Sequence, residues 1–149
     1  MTSTPDLAAL SGLQQLQLFL DGKAPPAPIS DTVGFTLIHV EKGRVVFEGT
    51  PTRAVYNPLG TVHGGWMATL LDSACGCVVH AGLEPGQTYT TLELKTAFHK
   101  ALKAGTPVRA EGRIVQMGRR AAFSEATLTG VEDGKLYATA TSTCLVMSL

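Results

Sequence analysis

Between residues 57 and 72 the chain carries three features that could act together: Asn57, the run His63-Gly64-Gly65, and Asp72. Asp72 is the one carboxylate in Leu70-Leu71-Asp72-Ser73-Ala74-Cys75, a run otherwise apolar or small. An isolated charge in a protein interior is costly, so an acid there needs a partner or a task. As a structural group it would cap a loop or pair with a base. At a buried cleft it would be partly desolvated, which raises its pKa and basicity and suits it to general-base or nucleophilic work. Gly64 and Gly65 open a helix-like segment. The first N–H groups of a helix have no internal partner and lie at its positive end. Glycine there either makes a tight turn or lets a polarised oxygen approach the backbone, an oxyanion hole in which Gly65 N–H is the favoured donor. Asn57, followed by Pro58, is either a turn former or an amide that holds a water or a carbonyl oxygen.

These groups need a rigid helix and a loop that fixes its start. Residues 64–81 contain no proline and are rich in Ala, Met and Leu, which predicts a helix ~27 Å long. Apolar nearly all round, it reads as a core helix. Residues 51–62, with Pro51, Pro58 and Gly60, read as the loop before it. Upstream, leucine spacing predicts a short helix over 6–21, outside the main body, begun by Asp6 after Pro5 and ended by Gly22. Prolines 25, 26 and 28 predict an extended connector. Strands are expected at 33–41 and 44–50, joined at Gly43 in a hairpin covered on both sides. Downstream, strands are expected at 88–98, 107–117, 120–131 and 136–146, the last two joined by a turn at 132–135. Ala138, Ala140, Ser142 and Cys144 share one face, small enough for a sheet pressed closely on a helix. The order predicts an α+β fold, an antiparallel sheet wrapped around a long central helix. Residues 1–29 form a helix and connector, and residues 30–149 the main domain. Bare sheet edges and leftover apolar surface favour pairing with a second copy.

A chain of 149 residues fits one domain with one sizeable core. Twelve basic and twelve acidic residues balance, which argues against a general nucleic-acid or membrane-surface binder. Cys75, Cys77 and Cys144 are odd in number and poorly spaced for zinc or a disulfide framework, so they read as small buried hydrophobes in a reducing compartment. No basic stretch followed by an apolar run opens the chain, which makes the cytoplasm the expected location.

The set Asn57-Pro58-Leu59-Gly60, His63-Gly64-Gly65 and Asp72 resembles the hotdog-fold thioesterases over roughly residues 30–147. It is most similar to the PaaI branch, related to 4-hydroxybenzoyl-CoA thioesterases with an acid on the central helix. The resemblance implies hydrolysis of acyl-CoA thioesters without metal or other cofactor, by a homotetramer built from two dimers. It implies that Asp72 either attacks the thioester carbonyl to give a mixed anhydride or activates water. It gives Asn57 the role of orienting water or carbonyl, and His63 that of holding the loop against the helix start. A hydroxyl from the following strand is implied near the acid, with Thr91 and Thr90 as candidates. The 4-hydroxybenzoyl type has a hydroxyl four residues after the acid, where this chain has Gly76. A short or aromatic acyl group, such as phenylacetyl, fits the PaaI likeness, with Trp66, Met67 and Phe98 as pocket candidates. The phosphates of coenzyme A call for cations: Arg119 and Arg120 are favoured for their bidentate geometry, with His99, Lys100 and Lys103 as the other cluster.

Helical arithmetic adds a constraint. Gly65 and Asp72 lie ~10 Å apart along one helix, yet a reacting carbonyl must lie ~3 Å from both donor and nucleophile. Gly65 of one copy is therefore expected to face Asp72 of another, in agreement with the family pattern of sites across the dimer interface. Two other readings compete. A non-catalytic acyl-CoA sensor would normally carry a DNA-binding appendage, and the helix at 6–21 has no basic face. A hotdog hydratase or dehydratase pairs histidine with a second acid, and none accompanies His63.

Overall fold

A computed structural model describes residues 6–149; Pro5 lies outside them. Its centre is one long helix, α3 (Gly64–His80), laid across a six-stranded antiparallel sheet. The strands are β1 (Phe35–Glu41), β2 (Arg44–Gly49), β3 (Gln87–Phe98), β4 (Val108–Met117), β5 (Ala121–Gly130) and β6 (Leu136–Ser148). Their order in the sheet is β1-β2-β4-β5-β6-β3. The connection through α3 thus carries the chain from β2 to the far edge, and the last three strands fill the middle.

The sheet accepts the helix because its inner face is built of small side chains. Ala122, Ser124, Ala126 and Leu128 of β5 are buried, as are Ala138, Ala140, Ser142 and Cys144 of β6. At Gly112 of β4 the backbones themselves meet: a Cβ there would collide with the Ala74 carbonyl of α3. The Ser124 hydroxyl donates to the Cys75 carbonyl at 3.0 Å, and Leu70, Leu71, Ala74, Cys75 and Val78 are fully buried beneath α3. The outer face of the central strands is polar, tied by Arg109 to Glu48 at 2.7 Å and Arg44 to Glu111 at 3.1 Å.

The N-terminal region departs from expectation in three ways. Asp6 caps only a single 3-10 turn, and helix α1 (Gly12–Leu20) begins at Ser11, whose hydroxyl and Gln14 form a reciprocal capping box. Far from standing outside the main body, α1 packs on β1 and α3, with Leu16 buried and Gly12 set against the His80 carbonyl. The proline connector leads into a further helical turn, α2 (Pro28–Val33), because Pro28 sits at the first helical position where a missing N–H costs nothing. Strand β1 consequently starts at Phe35. The hairpin is well covered on β2, but Thr36 and Ile38 of β1 are exposed, so it is not covered on both sides.

Strand β3 is an edge. It spans 12 residues and, among the described residues, pairs with β6 alone; Leu92, at a break in that register, is 63% exposed. The cysteines are unpaired; Cys75 and Cys144 are buried, and burial pushes the Cys75 thiol up to about 11. No described helix is long and apolar enough to cross a membrane.

The contact at Gly112 is the expected weak point to enlargement. Gly112→Ala forces α3 off the sheet, and overpacking of this kind costs roughly 1–3 kcal/mol. In a domain of this size that lowers Tm by roughly 3–10 °C, measured by thermal unfolding. An unchanged Tm would mean that the helix and sheet yield freely there.

Candidate active site

The loop before α3 folds on itself so that Asn57 lies beside the helix start. Asn57 N–H donates to the Thr61 carbonyl at 2.8 Å, and Gly60 closes the turn with φ +76°. The Asn57 side-chain oxygen accepts from Leu59 and Thr61 N–H, and its Nδ2 donates to the Thr61 hydroxyl at 2.9 Å. One Nδ2 proton remains free for a ligand. Asn57 and Gly64 line the same hollow, of about 350 Å³, with Thr61, Met67, Phe98 and Lys100.

His63 is the N-cap of α3. Its Nδ1 accepts the Gly65 N–H at 2.8 Å, which fixes the neutral tautomer with the proton on Nε2. This corrects the expected donor. Gly65 N–H is occupied by the imidazole, whereas the Gly64 N–H meets no acceptor among the described residues. The glycines have distinct reasons to be glycine. A Cβ on Gly64 would sit 3.0 Å from the Phe98 ring, and one on Gly65 would sit 2.9 Å from the His63 Nδ1.

Asp72 is not in the core. Together with Gly65 it lies on the face of α3 turned away from the sheet, and it is exposed. Small residues had disguised that face: Gly65, Ala68, Thr69 and Ser73 surround the acid without burying it. No hydrogen bond or ion pair holds the carboxylate among the described residues, and desolvation by the protein around it raises its pKa. It is therefore a poorly stabilised anion, open to a reactant. Tyr89, which the sequence reading did not single out, reaches from β3 over the next turn of the helix. A Cβ on Gly76 would sit 2.7 Å from its hydroxyl. Burial raises the Tyr89 pKa, with the Cys77, Cys144 and Asp72 charges adding to it. The glycine four residues after an acid was the visible signal of this approach.

Other expected site residues scatter. Thr91 faces Cys144, with 3.8 Å between Oγ1 and Sγ, so alternation puts the exposed Thr90 on the other face of the sheet. Trp66 is buried and donates its indole N–H to the Val33 carbonyl at 2.9 Å; it is core, not a pocket wall. Arg119 and Arg120 line a separate hollow of about 420 Å³ with Gln87 and residues 145–148. That hollow lies at the C-terminal end of α3, where Gly82 meets Met117. In one chain the arginines are thus a helix length, ~25 Å, from Gly64. Lys100, of the other basic cluster, is at the Gly64 hollow itself.

One antiparallel sheet curved over one long helix, with a loop-held glycine mouth and an acid on the outer helix face, is the hotdog fold. Residues 59–137 match the thioesterase superfamily, and the chain belongs to that superfamily. It is a thioester hydrolase by class. It is 29% identical to 1,4-dihydroxy-2-naphthoyl-CoA hydrolase of Listeria monocytogenes, over 68% of this chain and 81% of the relative. A structure from Ralstonia eutropha, described as a phenylacetic acid degradation-related protein, superposes with a TM-score of 0.79 at 34% identity, covering 87% of this chain and 97% of the other. A Streptococcus mutans protein bound to acetyl-CoA superposes with a TM-score of 0.71 at 29% identity, over 77% of this chain and 90% of that one.

The raised pKa of Asp72 has a sign that stability measurements read. The folded chain holds this proton more tightly than the unfolded chain. The stability that results is present below the ordinary value of 3.8 and is lost as pH rises through the folded pKa. Asp72→Asn is therefore expected to melt at or above the wild-type temperature at pH 7, with a shallower loss of stability as pH rises through the acid range. A clear destabilisation at pH 7 would show that a partner holds the carboxylate.

Proposed function

We propose that the chain hydrolyses acyl-CoA thioesters, with the Asp72 carboxylate as nucleophile or general base and the Gly64 N–H as oxyanion donor. The observation that carries this reading is the exposed, unpaired and desolvated Asp72 on a helix whose first N–H is also unpaired. The thioester oxygen accepts from Gly64 N–H, with the free Nδ2 proton of Asn57 beside it. These donors strengthen as negative charge grows on that oxygen, which is where differential stabilisation lowers the barrier. Asp72 either bonds to the carbonyl carbon while the coenzyme A thiolate leaves, giving a mixed anhydride that water then cleaves to the free acid and the restored carboxylate, or takes a proton from a water that itself bonds to the carbonyl carbon as the thiolate leaves. His63 positions Gly64 by capping the helix through Gly65.

Gly64 and Asp72 are eight residues apart, ~12 Å along α3, so the site needs two chains. The unpaired, exposed edge of β3 supports that reading, since a long open edge is a template for pairing. A twofold antiparallel contact along β3 sets the C-terminal end of one α3 beside the N-terminal end of the other. The partner's acid then approaches Gly64, and the partner's Arg119 and Arg120 approach the hollow where coenzyme A phosphates would lie. The likeness to a naphthoyl-CoA hydrolase and to an acetyl-CoA complex supports the coenzyme A ester as substrate. The homotetramer and the cytoplasmic setting belong to the same proposal.

Thiol release from a panel of acyl-CoA esters tests it. Asp72→Asn is expected to keep the oligomer and lower kcat by ~10²-fold or more, the typical loss on removing a positioned base. Equal rates in both proteins would remove Asp72 from the chemistry. Tight ester binding with no hydrolysis by the wild type would make the chain a sensor.

A further inference from the structure

Strand β3 carries three successive hydroxyls, Tyr89, Thr90 and Thr91, beside the helix that bears the acid. Tyr89 pairs with Val146 and Thr91 with Cys144, and both of those β6 residues are buried. Alternation therefore turns Tyr89 and Thr91 toward α3 and Thr90 away from it. The Thr91 hydroxyl meets the Cys144 sulfur. The Tyr89 hydroxyl has no hydrogen-bond partner among the described residues. It is not sealed off either: the one shut-in, unpartnered side-chain nitrogen or oxygen among those residues is His39 Nε2. The Tyr89 ring stands edge-on to His80, with centroids 5.8 Å apart, and His80 is itself held by Gln15 at 3.0 Å. At its other end the Tyr89 hydroxyl lies 2.7 Å from where a Cβ on Gly76 would be. His80, Gly76 and Asp72 follow one another at four-residue steps along one stripe of α3. The ring thus lies along that stripe and ends one turn short of the acid.

We propose that the Tyr89 hydroxyl and the Asp72 carboxylate of one chain together hold the water that attacks the thioester. The inference rests on the reading of Asp72 as the reactive carboxylate, and it selects the route in which water attacks directly. Cβ positions four residues apart on a helix are ~6 Å from each other. The two groups make no direct bond, and two hydrogen bonds through a single water span about 5 Å. The water donates one hydrogen to Asp72 and the other to the Tyr89 oxygen, which leaves a lone pair aimed at the carbonyl carbon. Held by Asp72 alone, the same water would turn freely about one bond. In the step itself the water oxygen bonds to the carbonyl carbon and Asp72 takes its proton. The carbon–sulfur bond breaks with its electron pair on the coenzyme A sulfur. Free acid, thiolate and protonated Asp72 result, and Asp72 returns the proton to the thiolate. Tyr89 keeps its own proton throughout, since burial raises its pKa and the Asp72 charge adds to the effect. Glycine at 76 is what gives the hydroxyl room to stand there.

The test uses the full-length protein and thiol release from phenylacetyl-CoA, 2-naphthoyl-CoA and acetyl-CoA. Tyr89→Phe removes the hydroxyl and keeps the ring. It is expected to lower kcat about tenfold, the size of one hydrogen bond lost in the transition state, with KM within about twofold and Tm little changed. With the phenol oxygen gone, the nearest ring atoms would lie 3.4 Å from a Cβ at position 76, an ordinary contact. Adding Gly76→Ser to Tyr89→Phe therefore returns a hydroxyl from the helix side and is expected to recover kcat at least ~3-fold, whereas adding Gly76→Ala recovers none. A purely structural role for Tyr89 would not tell serine from alanine. A folded Tyr89→Phe protein with kcat within about twofold of wild type, or equal rates for the serine and alanine variants, overturns the proposal. Asp72→Asn is measured alongside. If it is inactive while Tyr89→Phe is unimpaired, the water-holding role alone fails; if it matches the wild type, or the wild type cleaves no ester, the reading of the acid fails and this proposal with it.

Discussion

Backbone meets backbone where Gly112 of β4 lies under the Ala74 carbonyl of α3. Most of the structure follows from that contact. Close approach needs small residues on both sides, and the buried faces of β5 and β6 are mostly alanine, serine and cysteine for that reason. A helix seated so low is rigid, and its residues cannot swing toward one another. Gly64 and Asp72 are held ~12 Å apart for good. A single helix can then offer a donor at its mouth and an acid in its middle, but not both to one carbonyl.

The same seating decides what is exposed. The sheet covers one side of α3, leaving a stripe of small residues with Asp72 among them. Two further elements border this stripe. Tyr89 comes from the edge strand, its hydroxyl over Gly76. On the other flank α1, the prolines and α2 stand off from Ser73 and Cys77 and leave a large cavity. The acid thus sits on a helix flanked by an open strand edge on one side and a large cavity on the other. Electrostatics suit the same arrangement: desolvation raises the Asp72 pKa, and no cation among the described residues offsets it.

The fold was largely legible. Period-two alternation marked the strands after the helix, and the glycine-punctuated turns marked their limits. The spacing of Asn57, His63 and Asp72 pointed to the site because it is local, set by one loop and one helix. What the sequence concealed depends on tertiary placement. Gly65 looked like the free donor until the His63 ring was seen to take its N–H. Asp72 looked buried because glycine, alanine, threonine and serine do not declare which way they face. Trp66, Met67 and Phe98 looked like pocket residues; Met67 and Phe98 line the Gly64 hollow, whereas Trp66 is tied to Val33 in the core. Arg119 and Arg120 were favoured for coenzyme A phosphates by their chemistry alone, and the sheet carries them to the far end of α3 from Gly64. The cavity was illegible because it arises from α1 folding back, and proline spacing does not announce that.

The central claim is that each site takes its acid from one chain and its glycine mouth from another. Mixing two inactive variants tests this most directly. One chain carries Asp72→Asn. The other carries Asn57→Asp, which keeps the oxygen that Leu59 and Thr61 N–H groups use and removes the amide donor. Each is measured alone and after refolding together. If sites are shared, half the dimers are mixed and each mixed dimer holds one intact site, so about a quarter of the wild-type rate returns. No recovery, with mixed dimers shown to be present, would place donor and acid in the same chain and contradict the account.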